Sequence, residues 1–451
     1  GAGGIAIYTG ATGYRILDNL IAGNFCRGNG GGIGHEGVSH GGVIARNIIR
    51  NNETFYALAM GGDGGGIFIG GDAGDPEDGV ELSSGSGSVT VEGNLIQGNL
   101  AGSGSGGGVC LFGVNGADLE VSVNPTNWYA ANLFNNIIVN NVAGFGGGGI
   151  ALTDAARVSI IHNTVANNDS AATAQSAFGA GATASTPQGA GIAAFRNSAP
   201  FADLSGQDYS SPTLHNSIVW HNRSFYYDRA TQSLVPAPGT FYRDLAVPAG
   251  EGPMDPRNCV LTSVAGYHAS NLAADPQLLS TYTNVLFAAA VIDEAGNNIN
   301  VRFEPTGPQG NYHIAGTSPA LDAADDSPFA SFAALLGDLD TDFRPYGSAP
   351  DIGADEFSIQ TLFATNDLYF VTEDTTLTVL GSGVLDNDRP TAASNTAELV
   401  TGPLHGSAAP LFSNGRISYT PNPDFTGVDA FTYRMRLGDQ RSRVAQVTLV
   451  V

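Results

Sequence analysis

A short phrase of asparagine and aliphatic residues recurs along the first half of the chain and constrains the fold more than any other feature. Each copy, such as DNLIAGN or GNLIQGN, holds a few β-branched or aliphatic residues between polar ends. A glycine phrase, GGGI or a close variant, alternates with it. The asparagine phrase has six copies, and each ends on asparagine: Asn24, Asn52, Asn99, Asn141, Asn168 and Asn222.

The spacing of these phrases predicts a solenoid. The aliphatic residues that end the glycine phrases are 28, 34, 42, 41 and 42 residues apart, from Ile5 to Ile192, and periods of this size mark repeat architectures. Each phrase is too short for an amphipathic helix and suits a short strand. Such a strand buries its apolar face only when it stacks on identical strands about 4.8 Å away.

We therefore predict a parallel β-helix. Asparagine at a fixed turn position tolerates the left-handed backbone region, and its amide can bond the asparagines above and below as a ladder. Glycine before each isoleucine suits tight corners or close approach of backbones.

The repeats resemble the right-handed parallel β-helix family, which includes pectate-lyase-like folds and surface proteins with GGGI and NxI repeats. The resemblance covers roughly residues 1–357. Within it, NYHIAGTSPALDAAD at 311–325 and DLDTDFRPYGSAPDIGADEF at 338–357 resemble the C-terminal portion of bacterial β-helix surface proteins of the choice-of-anchor type. This resemblance implies that residues 311–357 close the coil, whose last rung otherwise offers unpaired backbone groups.

Residues 358–451 change to short alternating strands with turn signals such as SNG and PNPD, a pattern typical of a β-sandwich. The runs ATNDLYFVTEDTTLTV, GVLDND and ISYTPNPDFTGVDAFTYR resemble bacterial cadherin-like, Ig-like modules of large secreted proteins. The predicted class is all-β: a β-helix at 1–357 and an Ig-like sandwich at 358–451. The resemblance implies an extracellular, cell-surface location.

The charge balance excludes some partners. The chain has 42 carboxylates against 18 basic residues, all arginine, for a net charge of −24. Such a field repels nucleic acid and anionic membranes and favours divalent cations. No apolar run is long enough to span a bilayer. We expect no nucleic-acid partner and no membrane insertion.

The cadherin-like resemblance implies calcium at the boundary between domains, through an Asn-Asp pair and an acidic residue shortly after it. Asn366 and Asp367, with Glu373 and Asp374, occupy those positions, and their oxygens suit a hard cation. Ala364 and Thr365 stand where the family has its first linker acid. The alternative is that Asn366 and Asp367 only form a turn while the acids are solvated. The acidic loop at 71–81 could likewise bind calcium, or its carboxylates could simply be solvated.

No catalytic set is visible. A polyuronate lyase needs a basic residue to take the sugar's α-proton, and the chain has no lysine and a repelling field. A glycoside hydrolase needs two carboxylates about 5–9 Å apart, and the repeat strands carry almost no Asp or Glu. We therefore predict a non-catalytic protein.

Two functions remain open at this point. The first is an extracellular structural, adhesive or filament-forming protein that associates with copies of itself or with other surface proteins, through its β-helix ends and Ig-like module. The alternative is a carbohydrate-active enzyme or glycan-binding protein that uses the loops at 61–88, 113–131 and 223–245. Sugar-stacking aromatic residues would then be Trp128 and the group Phe225, Tyr226, Tyr227, Phe241 and Tyr242. Trp220, inside a repeat, is expected to pack. A Cys26–Cys110 bridge requires that their rungs stack.

Overall fold

The computed structural model describes residues 1–55, 62–72, 82–286, 309–340, 342, 344–358, 362, 364–388, 394–407, 410–438 and 440–451. They form two compact units. The first comprises Gly1–Leu339 with Phe343–Phe357, and the second Asp340–Asp342 with Ser358–Val451.

The first unit is a coil of stacked rungs whose strands line up as four parallel sheets, here named A to D in the order in which a rung visits them. Repeated phrases lie directly on one another: Ile5 pairs with Ile33, Ile33 with Ile67, and Val109 with Ile150. The predicted fold class, a parallel β-helix followed by an Ig-like module, is confirmed.

The strand bounds follow the repeats. Sheet A contains Ile5–Tyr8, Ile33–Glu36, Ile67–Gly70, Val109–Phe112, Ile150–Thr153, Ile192–Ala194 and Leu245–Ala246. Sheet B contains Arg15–Leu17, Gly42–Ala45, Val89–Glu92, Ala131–Phe134, Val158–Ile161 and Thr213–His215. Sheet C contains Leu20–Ala22, Ile48–Arg50, Leu95–Gln97, Ile137–Val139, Thr164–Ala166, Ile218–Trp220 and Val260–Leu261. Sheet D contains Phe25–Cys26, Glu53–Thr54, Leu100–Ala101, Val142–Ala143, Asp169–Ser170 and Arg223–Asp228.

Shorter elements leave the coil between these sheets. Ser233–Pro236 folds back antiparallel on Arg223–Asp228, and Leu278–Ser280 pairs antiparallel with Asn311–Ile314. The α-helices of the described residues are Ala117–Val121 and Ala199–Ser205. The 3₁₀ turns are Pro125–Asn127, Gln175–Ala177, Ser327–Ala330, Ala333–Leu336 and Gly383–Leu385.

Inward-facing aliphatic side chains fill the coil as continuous rows. Ile44, Ile49, Ile67 and Ile96 are completely buried, and each contributes about 1.5–3 kcal/mol relative to an exposed side chain. A single strand of three or four residues cannot supply such a core, so each rung depends on its neighbours.

Two asparagine ladders line the turns on either side of sheet C. The predicted ladder is confirmed: Asn24, Asn52, Asn99, Asn141, Asn168 and Asn222 bond each other through their side-chain amides. A second ladder runs through Asn19, Asn47, Asn94, Asn136 and Asn163. All of these residues except the two in the first rung are buried, so the ladders satisfy polar groups inside the turns.

The prediction that the ladder asparagines adopt the left-handed region is wrong. The residue before each of them does so, for example Asn51, Asn140 and His162, with φ of 51°, 58° and 53°. The left-handed residue makes the corner. The next residue is thereby left with its N–H and its amide aligned along the stack, which the ladder requires.

The glycine phrases are needed at the corner before sheet A. Gly106 has a φ of 69°, a conformation that favours glycine. A Cβ on Gly107 would lie 2.4 Å from the Val142 carbonyl oxygen, much closer than real contacts allow. These glycines therefore let successive turns of backbone stack, as predicted.

We expected the closing segment, residues 311–357, to cap the last rung of the coil. Instead, it lies along the outside of the coil, against sheet C. Tyr312 and Ala354 pack on Ile137 and Val139 of sheet C. The Arg344 guanidinium is fully buried, 3.1 Å from Glu356, and donates to the Asn135 side chain at 2.8 Å. The segment thus shields an outward apolar stripe of the coil.

The second unit is a small β-sandwich. Its four-stranded sheet has the order Asp367–Phe370, Gln440–Val450, Val428–Leu437 and Thr396–Thr401, and Leu377–Val379 pairs with Ile417–Tyr419 in the other sheet. The short strands expected from the alternating pattern of residues 358–451 are present. The core contains Val384, Ile417, Tyr419, Phe431 and Tyr433.

Candidate functional site

The first pair of predicted calcium ligands lies where the first strand of the Ig-like unit begins. Asn366 accepts a hydrogen bond from the Gln446 backbone N–H at 2.8 Å. One carboxylate oxygen of Asp367 accepts from the Asn387 amide at 3.1 Å. Its other oxygen lies 3.3 Å from the Tyr433 hydroxyl. That hydroxyl also lies 3.0 Å from the carboxylate of Asp388, which is completely buried.

This arrangement brings two carboxylates to one hydroxyl, which has a single proton to donate. Burial, followed by repulsion from Asp388, raises the pKa of Asp367 to about 7. Burial and the same two carboxylates also raise the pKa of Tyr433 far above its ordinary value. A proton or a cation between Asp367 and Asp388 would relieve the repulsion. Asp388 and Asn387, from the quoted GVLDND run, are site residues that the sequence reasoning did not assign.

The second pair lies beyond the other end of that strand. Glu373 and Asp374 join Asp424, and one carboxylate oxygen from each lies within 4.8 Å of the others. The Asp424 backbone N–H donates to Asp374 at 3.1 Å, and all three residues are exposed. Asp424 belongs to the PNPD turn, which signalled only a turn in the sequence.

The four predicted ligands therefore form two groups with different partners. The strand Asp367–Phe370 separates them, at about 3.3 Å per residue. Neither group alone has the six or more oxygens that calcium takes in full, so water would complete either shell. Calcium binding stays a prediction, and the partly buried group around Asp367 is the better-formed candidate.

The acidic loop at 71–81 is described only at its start. Asp72 accepts from the Thr9 hydroxyl at 3.1 Å. Asp75, Glu77, Asp78 and Glu81 lie outside the described residues.

Most of the predicted sugar-stacking aromatic residues pack against the coil. Phe225 and Tyr227 are buried, and Phe225 meets Phe241 edge to face. Trp128 is also buried, and its indole N–H donates to the Ser122 carbonyl at 2.7 Å. Trp128, named above as a stacking residue of the sugar-binding alternative, is therefore not exposed to a ligand.

One aromatic stack reaches the surface. Trp220 stacks on His221, and His221 on Tyr242, with ring centroids 4.4 Å apart in each pair. Trp220 also packs on the apolar clusters beneath the closing segment, as expected, whereas Tyr242 is 45% exposed. Burial lowers the pKa of His221, which favours the neutral imidazole in this stack.

The cysteines form no bridge. Cys26, Cys110 and Cys259 are all free and buried. A Cys26–Cys110 bridge would require the two residues to stack on each other, but Cys26 belongs to sheet D and Cys110 to sheet A. Burial raises the pKa of Cys110 well above its ordinary value.

The first rung is the outer member of all four sheets. Its strands Ile5–Tyr8, Arg15–Leu17, Leu20–Ala22 and Phe25–Cys26 pair on one side with the second rung. Tyr8, Leu20 and Phe25 are exposed on it.

Comparison with known families identifies the second unit. Residues 360–450 match the family model described as a bacterial Ig domain. No curated protein and no solved structure matches the chain. Bacterial Ig domains are typical of surface-associated or extracellular proteins. None of the helices among the described residues has the length and hydropathy of a membrane span.

Proposed function

We propose that this protein is a non-catalytic extracellular component of a bacterial surface, with a structural, adhesive or filament-forming role. The β-helix is a rigid body in this proposal, and the Ig-like unit spaces or tethers it. The partners are other surface proteins or copies of the chain.

The observation that carries the proposal is that the buried asparagine side chains of the coil hydrogen-bond to one another. Asparagines repeat at two corners of each of the first five rungs, as catalytic or ligand-binding residues of a repeat protein could. Instead, their side-chain amides and oxygens form hydrogen bonds with the asparagines of the neighbouring rungs. Such a fully connected polar network fixes shape and register, and a fixed shape joined to a bacterial Ig domain suits a building unit.

The test combines imaging with an activity screen. The purified chain is examined by negative-stain electron microscopy at physiological salt and is incubated with a panel of acidic and neutral polysaccharides. The proposal predicts ordered assemblies, or attachment to bacterial surface material, and no release of reducing ends or unsaturated sugars. Turnover on any polysaccharide, or dispersed monomers that attach to nothing, would overturn it.

The stack ending at Tyr242 favours glycan binding as a second candidate. An exposed ring backed by His221 and Trp220 presents one rigid aromatic face, as sugar-binding sites do. Tyr242→Ala should weaken retention on an immobilised glycan at least tenfold if this face binds sugar. Tyr346→Ala, which removes another exposed tyrosine of the first unit, is the matched control and should leave retention unchanged.

A further inference from the structure

Three corner residues of the coil hold the closing segment. Asn135, His162 and Asn216 are the left-handed corner residues of three successive rungs, with φ of 54°, 53° and 49°. The Asn135 side chain accepts from the Arg344 guanidinium at 2.8 Å. The His162 ring stacks on the Phe329 ring, with centroids 5.6 Å apart. The segment is thus anchored along a row of polar corners.

The closing segment holds the side chain of Asn216 in one orientation. Its Oδ1 accepts from the Asp325 backbone N–H at 3.1 Å, and its Nδ2 donates to the Asp325 carbonyl at 2.7 Å. Because these two bonds use opposite ends of the amide, the amide cannot turn over while the segment is bound. The Asn216 backbone carbonyl also accepts from the Gly353 N–H at 2.9 Å.

This fixed amide determines the protonation state of His162. The Asn216 Nδ2 lies 3.0 Å from the His162 Nε2, and because an amide nitrogen only donates, Nε2 has to accept. A protonated imidazole donates from both nitrogens, so it would set one N–H against another at this contact. The backbone of Asp351 and Gly353 lies close to the ring, but Nδ1 has no hydrogen bond of good geometry to a described residue.

The surroundings of His162 also disfavour a positive charge. The residue is completely buried, and the Arg344 guanidinium lies nearby, paired with Glu356 at 3.1 Å. Burial, followed by repulsion from Arg344, lowers the pKa of His162 well below its ordinary value. The bound closing segment therefore requires a neutral His162 for both geometric and electrostatic reasons.

We propose that the closing segment is an acid-released strap, whose contact with sheet C is broken when His162 takes up a proton. Release uncovers the apolar side chains of Ile137, Val139 and Ile218, on which the segment packs. The coil would then offer an apolar stripe to a partner only in acid. This inference goes beyond the proposed structural role, because it adds regulation by pH.

Other titratable groups face the same contact. Burial lowers the pKa of His215, with a smaller contribution from Arg257, and the carboxylate of Asp325, 3.6 Å away, opposes this shift. Within the segment, burial and then repulsion from Glu356 raise the pKa of Asp351 to about 7. Protonation of that carboxyl stabilises the segment in acid and so acts against release. Variants are therefore needed to separate the histidine from these groups.

The direction of the response follows from the lowered pKa. An open segment returns His162 to its ordinary pKa of about 6.5. At higher pH neither state binds the proton, and the closed contact keeps its full stability. As the pH falls below that value, the open state binds the proton first. The opening equilibrium should therefore rise by up to about tenfold per pH unit, until the pH reaches the lowered pKa of the closed state.

Hydrogen exchange followed by mass spectrometry measures this opening in the full chain. Three backbone N–H groups of the segment bond to the coil and report its release: those of Asp325, Gly353 and Ala354. The parent is compared with His162→Asn at each pH, so that the intrinsic exchange rate cancels. Asparagine keeps the left-handed corner, as it does at the same position of the two neighbouring rungs, and it does not titrate.

Between pH 7 and pH 5, exchange at these groups should rise about tenfold more in the parent than in His162→Asn. His215→Gln is the matched control and should keep the rise. A second variant, Asn216→Asp, replaces the amide donor by a carboxylate that accepts from a protonated His162, so exchange corrected for its intrinsic rate should not rise in acid.

No acid-dependent rise in the parent, or an equal rise in His162→Asn, would overturn the inference. If His162→Asn does not fold, a rise in Asn216→Asp equal to that of the parent would overturn it as well. The exchange readout involves neither assembly nor polysaccharide, so its failure is distinguishable from failure of the proposed function.

Discussion

Replacement of one ladder asparagine by aspartate tests how much of the coil's stability the ladder supplies. Asn99 is completely buried and makes four side-chain hydrogen bonds. Two are accepted from the N–H and amide of Asn52, at 3.0 Å each. Two are donated to the Ile49 carbonyl and the Asn141 Oδ1, at 2.9 Å each. Aspartate has nearly the same shape and keeps only the accepted pair.

The cost of Asn99→Asp has two parts. The two lost hydrogen bonds account for about 1–3 kcal/mol. A carboxylate oxygen would also face two acceptors at close range without water, which costs several kcal/mol more in a buried site. We expect the free energy of unfolding to fall by about 4–6 kcal/mol at pH 7, with a melting temperature roughly 10 °C lower.

The pH dependence gives an internal check. Burial should raise the pKa of the introduced carboxyl above the value of about 3.9 that it has in the unfolded chain. The electrostatic part of the penalty is therefore absent below about pH 4 and grows as the pH rises toward the folded pKa. Urea unfolding followed by circular dichroism at pH 4 and pH 7 measures both parts.

The control is Asn132→Asp, on the outward face of the neighbouring sheet B strand Ala131–Phe134. This change adds the same charge at a half-exposed position and should stay within about 0.5 kcal/mol of the parent. If Asn99→Asp also stays within 1 kcal/mol at both pH values, the ladder is not a major source of stability and the reasoning fails.

Three further predictions concern charged groups. Arg344→Leu should destabilise the coil by about 3–5 kcal/mol, because it removes the cation that pairs with the buried Glu356. The control, Arg46→Leu, breaks the exposed pair with Asp18 and should cost about 0–1 kcal/mol. Equal costs of the two substitutions in urea unfolding would contradict the prediction. The pKa of Asp367 is raised to about 7, so protonated Asp367 stabilises the Ig-like unit most when the pH is below the ordinary pKa of aspartate, and this contribution is lost as the pH rises through 7. Asp367→Asn should therefore make the calorimetric melting temperature of that unit depend less on pH between pH 4 and 8. Millimolar calcium should raise the melting temperature of that unit in the parent and in Asp374→Asn but not in Asp367→Asn, and no calcium effect on the parent would remove the proposed site.

The fold was largely predictable because stacking requires every rung to repeat the same few residues. Strands, glycine corners and one asparagine ladder follow from that repetition. Positions without repetition were not predictable: His35 lies in the inward row between Ile7 and Ile69, where the repeat otherwise places aliphatic residues. Its Nε2 lies 2.9 Å from two carbonyl oxygens and its Nδ1 2.8 Å from the Tyr14 hydroxyl, partners that only the folded coil brings together.

The candidate metal ligands show the same limit. The resemblance to Ig-like modules pointed to Asn366, Asp367, Glu373 and Asp374, which are close in sequence. A strand carries neighbours in sequence apart at about 3.3 Å per residue, so the pairs acquired separate partners. Asp388 and Asp424 joined them through sandwich topology, which short-range spacing does not encode.

The second ladder was present in the sequence as a spacing. In every asparagine phrase its member precedes the final asparagine by five residues, from Asn19 and Asn24 to Ser217 and Asn222. The interval between rungs, in contrast, takes the values 28, 47, 42, 27 and 54 residues along the same ladder. Insertions are therefore tolerated at the other corners and excluded between the two ladders, because a change of one residue there would put one ladder out of register. The surface that varies, where binding functions of a solenoid evolve, thus lies away from sheet C, while the ladders keep the direction and register of the rungs.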